Sequence, residues 1–143
     1  MAQLSFASDR EQVVDTMIAL MRPSKLHGII IAGGESMDFY LSLRRRGYVR
    51  VATPATSSVA GKLHTFGLIT GRDAIAALAQ VSPFLGANAA IAVLVESNES
   101  AFCMRVRSRL QQMGFRIEAG VRCQRGLVLS ACRPGRAQMQ YAA

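Results

Sequence analysis

The 143-residue chain is half hydrophobic, carries a net charge of +8 and contains no Trp. That size supports one domain with a real core and excludes a small scaffold dependent on staples. No apolar run approaches the roughly 20 residues that span a bilayer, and residues 1–8 lack the features of a signal peptide, so a cytoplasmic domain without membrane contact is expected.

Ser8, Asp9, Arg10 and Glu11 read as a capping box with Ser8 as N-cap. Apolar residues at 13, 14, 17, 18 and 21 then form one stripe of an amphipathic helix, which Arg22-Pro23 stops. Residues 28–34, GIIIAGG, are apolar on both faces, as a central parallel strand requires. Residues 36–46 predict a second helix with Gly47 as its left-handed cap. Residues 48–53 predict a second strand closed by Pro54, and the small residues of 55–63 a loop. A third strand is expected at 66–70, ending at Gly71, and a helix at 73–85, where Asp73 suits the first turn. Residues 89–95 are the strongest strand, followed by a helix from Asn98 or Ser100 to Met113.

The ending differs. Residues 115–123 alternate, with Ile117, Ala119, Val121 and Cys123 on one face and Arg116, Glu118 and Arg122 on the other. A tight turn at Gln124-Arg125-Gly126 leads into the nearly continuous apolar run LVLSAC at 127–132. Alternation suits an edge and a two-sided apolar strand suits an interior slot, so the last strand should insert and leave its hairpin partner outside. The expected fold is a three-layer α/β/α sandwich. Its sheet is mostly parallel, with right-handed crossovers and a C-terminal antiparallel β-hairpin. It forms one domain over 1–143, with 1–8 and the stretch from Arg133, chiefly 134–143, as flexible tails.

This layout resembles the class I S-adenosylmethionine-dependent methyltransferases over residues 9–133. The resemblance rests on IIIAGG, on SPFLGANAAIAVLVE and on the terminal pair RIEAGVRCQRGLVLSAC. It implies a doubly wound sheet with a glycine-rich turn after the first strand, an acid for the ribose after the second, and S-adenosylmethionine as cofactor. Several of these features are replaced. The G-x-G-x-G turn is Ala32-Gly33-Gly34-Glu35-Ser36, and the second strand ends at Thr53-Pro54 with no acid. Only residues 55–65 are available for the family's third strand, and Ile69-Thr70-Gly71-Arg72-Asp73 replaces the family's acidic or NPPY-type motif.

The candidate crevice therefore comprises Gly33, Gly34, Glu35, Thr53 and Gly71, beyond the carboxyl ends of the strands where open α/β sheets bind ligands. Gly33 and Gly34 fit a backbone approach to a ligand and a plain strand-to-helix turn equally well. Glu35 reads as a ligand or as a solvated first-turn acid. Glu96 is the best-placed acid on position alone, and no catalytic residue is assigned. Gly61-Lys62 is no phosphate loop, because Thr56 and Leu63 break the pattern. Ser57, Ser58 and His64 form no ordered triad. Cys103, Cys123 and Cys132 have no C-x-x-C spacing and no histidine nearby in sequence, so free thiols and no metal are expected.

Charge is uneven. Residues 1–99 hold nine Lys/Arg against eight Asp/Glu, whereas residues 100–143 hold eight Arg against Glu118 alone. Arg105, Arg109, Arg116, Arg122 and Arg125 are candidates for one basic face toward nucleic acid or an acidic partner. The same arginines also fit a merely solvated face in an Arg-rich composition. Three functions follow: a degenerate methyltransferase-like domain acting by binding or as an assembly subunit, a divergent methyltransferase, or a nucleic-acid-associated protein. The alternating edge strand adds a possible homodimer.

Overall fold

The computed structural model describes residues 2–55, 64–96 and 99–133, and of residues 2–8 only the helical backbone. In chain order the elements are α1 (Ala2–Met21), β1 (Ile29–Gly33), α2 (Ser36–Arg45), β2 (Val51–Ala52) and β3 (His64–Thr70). There follow α3 (Ala74–Val81), a 3-10 turn (Ser82–Phe84), β4 (Leu85–Val95), α4 (Ser100–Gln112), β5 (Arg116–Cys123) and β6 (Gly126–Cys132). The sheet order is β2-β1-β3-β4-β6-β5. The first four are mutually parallel, and β6 runs antiparallel to both β4 and β5. The last strand thus inserts and its hairpin partner takes the edge, as the two apolar patterns require.

The two-sided apolar strands feed two separate cores. Ile29 and Ile31 point toward α1 and α2, where they meet Val13, Met17, Phe39 and Leu43. Ile30 and Ala32 point the other way, among Leu78, Val81, Val106 and Leu110 of α3 and α4. Each fully buried Ile or Leu stabilises the sheet by about 1.5–3 kcal/mol.

Several boundaries differ from the sequence expectation. Helix α1 begins at Ala2, so residues 2–8 continue it and Ser8 does not cap it. Glu11, freed from a capping role, accepts a hydrogen bond from the Ser42 hydroxyl of α2 (2.7 Å). Asp73 does cap α3, accepting from the Ala76 N–H at 3.3 Å. That helix stops at Val81 because Pro83 imposes a 3-10 turn, and Leu85 already belongs to β4. Strand β2 pairs through only two residues. Glu99, not Ser100, is the N-cap of α4, and Asn98 lies outside the described residues, as do 56–63 and 134–143.

Two corrections concern the C-terminal region. The β5–β6 pairing slips between Ile117 and Ala119, a bulge that leaves Glu118 without a direct partner. Ile117 therefore packs against the α3–α4 core while Cys123 packs against the α1–α2 core, not on one face as alternation predicts. A bulge also blunts the exposed edge against a second copy. Arg133 is no tail residue. Its guanidinium donates to the Leu85, Gly86 and Met113 carbonyls and stacks 4.6 Å from the Phe115 ring.

Candidate ligand crevice at the carboxyl ends of the strands

The parallel register brings Gly33, at the end of β1, directly beside Thr70, at the end of β3. Gly33 has φ 109°, and a Cβ there would lie 1.7 Å from the Thr70 carbonyl oxygen. Gly71 has φ 93°, and its Cβ would lie 2.5 Å from the Gly34 nitrogen. Between them, the Gly34 N–H donates to the Thr70 carbonyl (3.1 Å), and the Thr70 hydroxyl donates to the Gly34 carbonyl. These glycines let two strand ends close on each other. Their missing side chains face backbone, and the Gly34 donor is used within the protein.

Glu35 follows in the left-handed conformation (φ 60°, ψ 20°), costing about 1–2 kcal/mol for a residue with a Cβ. Its side chain does not cap α2. It pairs instead with Arg125 of the β5–β6 turn, which also meets Glu96 at 3.0 Å. The bridge joins the turn after β1 to the residue after β4, the two strands that flank β3 in the sheet. The Arg125 side chain is only 19% exposed. Burial works against its charge, yet the hydrogen bonds and charges of Glu35 and Glu96 outweigh that and hold the guanidinium above its ordinary range.

Thr53 lines a cleft of about 500 Å³ beside this crest, with Ala32, Gly33, Ser36, Pro54 and Gln80. Its named side chains bear hydroxyls and an amide but no charge. A second hollow of about 340 Å³ lies beside the Arg125 bridge, lined by Arg72, Glu96, Glu99 and Phe102. The crevice candidates therefore converge, with Gly33, Gly34, Glu35 and Gly71 in one locked crest and Thr53 on its flank.

The five arginines do not form one face. Arg105 and Arg109 line a groove between α3 and α4, and Arg122 lines an adjoining hollow that shares Met104 with it. Arg116 opposes Cys132 at the far end of the hairpin from the turn. Arg125 is occupied by Glu35 and Glu96. The sequence reading missed that bridge because its members are up to 90 positions apart. One signal was available: inserting β6 beside β4 delivers the hairpin turn to the end of β4, where Glu96 stands.

Cys103, Cys123 and Cys132 are free and half-buried. Burial and the Glu118 carboxylate, which accepts from its thiol, push Cys132 up and keep it protonated at neutral pH. Among the described residues no group of three His, Cys, Asp or Glu is placed to hold a metal, and no helix is long and apolar enough to cross a membrane.

No protein-family model matches the sequence, and no curated protein matches it. Solved structures do match in fold. A protein-(glutamine-N5) methyltransferase (release factor-specific) from Alicyclobacillus acidocaldarius is 19% identical, with a TM-score of 0.53 over 87% of this chain and 91% of that one. The ribosomal protein L11 methylase from Lactobacillus delbrueckii subsp. bulgaricus is 12% identical, with a TM-score of 0.59 over 86% and 77%. Magnesium protoporphyrin IX methyltransferase from Synechocystis PCC 6803, solved with bound S-adenosylmethionine, is 12% identical, with a TM-score of 0.51 over 92% and 81%. The chain has the class I methyltransferase-like fold, and at these identities the likeness is one of fold.

Proposed function

We propose that this chain is a cytoplasmic methyltransferase-like domain that has lost conventional S-adenosylmethionine chemistry and acts by binding, as a subunit of an assembly. The observation that carries the reading is the crest, where Gly33 and Gly34 are closed against Thr70 and Gly71. A glycine turn spent on its own backbone has little left to offer the methionine end of a cofactor. Thr53 supports the same reading, since it follows the second strand where the class I methyltransferase resemblance implies a ribose-binding acid. Replacing that acid removes about 1.5–3 kcal/mol of charge-assisted hydrogen bonding, roughly ten- to a hundredfold in affinity. The Glu35–Arg125–Glu96 bridge further commits the charges above the strands to each other. Three free thiols agree with a reducing compartment.

A divergent methyltransferase is the second reading. The 500 Å³ cleft favours it, being within the range of about 300–1,000 Å³ typical of small-molecule sites and lined by Gly33, Ser36 and Thr53. Calorimetric titration of the purified chain with S-adenosylmethionine and, separately, S-adenosylhomocysteine separates the two. The degenerate reading expects no heat and no melting-temperature shift at millimolar ligand. Micromolar or tighter binding would overturn it and direct mutagenesis to Gly34, Thr53 and Glu96.

A further inference from the structure

The α3–α4 face carries a groove of about 340 Å³ lined by Ile75, Met104, Arg105, Ser108, Arg109 and Gln112. Its floor is apolar, and Met104 is 61% exposed although Val106 and Leu110 of the same helix are fully buried. Arg105 and Arg109 stand one turn apart along it, and no acid lines it. Of the nearby acids, Asp73 caps α3, Glu96 holds Arg125, and Glu99 lines the adjoining hollow rather than the groove itself. Glu118, the one acid of the last third, lies in a hollow with Leu20 and Met21 of α1. Arg105 is set by its stacking on Phe102, 5.4 Å from guanidinium to ring centre.

We propose that this groove docks an acidic amphipathic helix of a partner protein. Apolar side chains of that helix would cover Met104 and Ile75, and two carboxylates one turn apart would meet Arg105 and Arg109. Charge complementarity and the apolar floor together favour a peptide. A phosphate backbone would use the arginines but gain nothing from Met104, and unpaired bases need exposed aromatic faces. Phe102, on the same helix, is already stacked against Arg105. This inference rests on the reading of the chain as a binding subunit and names what that subunit binds.

Panning the intact chain against a displayed library of random helical peptides tests it. Enriched peptides should alternate Asp or Glu with apolar residues at helical spacing. Their affinity should fall at least about tenfold in a folded Arg105→Glu, Arg109→Glu variant, and about threefold or more in Met104→Gln. No enrichment, enrichment of peptides without acids, or indifference to these substitutions would overturn the proposal. So would tighter binding of a mixed-sequence DNA duplex that the charge reversal abolishes and Met104→Gln leaves unchanged. Cofactor titration addresses the crevice alone. Bound S-adenosylmethionine would defeat the non-catalytic reading and leave the groove standing, whereas failure of the panning leaves that reading intact.

Discussion

Alanine at position 33 would put a methyl group 1.7 Å from the Thr70 carbonyl oxygen, in a backbone conformation that L-residues disfavour. Gly33→Ala is therefore expected to destabilise the protein by about 3 kcal/mol or more, read from urea unfolding. At Gly34 the nearest atom to a new Cβ is the Gly71 Cα at 3.4 Å, an ordinary contact. Gly34→Ala should cost no more than about 1 kcal/mol. Equal tolerance at both positions would contradict the locked crest. The sequence left this point open for a physical reason. A glycine that approaches a ligand and a glycine that approaches a neighbouring strand have the same side chain, and only the register of β1 on β3 says which it is.

At the scale of elements, α1 is tied to α2 by charge as well as by its apolar stripe. Glu11 pairs with Arg46 and lies 3.5 Å from Arg45, Asp15 also pairs with Arg46, and Arg10 approaches Asp38 at 3.9 Å. Burial alone would raise the Glu11 carboxyl, but hydrogen bonds from Arg46 and Ser42 and the two arginine charges outweigh it and hold the group below its ordinary value of 4.5. A carboxyl lowered by folding contributes stability that is fully present above the unfolded value and lost as pH falls through the folded one. Wild type should therefore lose stability as pH drops below 4.5, and Glu11→Gln should flatten that acid limb in a series of melts. At neutral pH the substitution should cost only about 1 kcal/mol, because these pairs are partly solvated. Elements of this kind were legible where a pattern repeats: the stripe at 13, 14 and 17 predicted the buried face of α1. Its start at Ala2 was not, since no side chain there marks a cap, and the β5 bulge was not, since one extra residue leaves the written alternation intact.

For the whole molecule, the order of apolar patterns was enough to predict a parallel sheet with an inserted last strand. Two-sided runs such as IIIAG can only be interior. The few residues between Pro54 and Phe66 leave little room for the third strand that the methyltransferase resemblance implies, and β2 forms the edge of the described sheet. The site was less legible because it is a property of topology. The turn holding Arg125 reaches Glu35 and Glu96 only after β6 has taken its place beside β4. On the proposed reading, this assembled crest serves the fold itself. Amide spectra of the isotope-labelled chain, titrated with S-adenosylmethionine into the millimolar range, test that claim at the residues concerned. No saturable shift is expected at Gly33, Gly34, Thr53 or Gly71; a saturating shift concentrated on those four amides would make the crest a cofactor site.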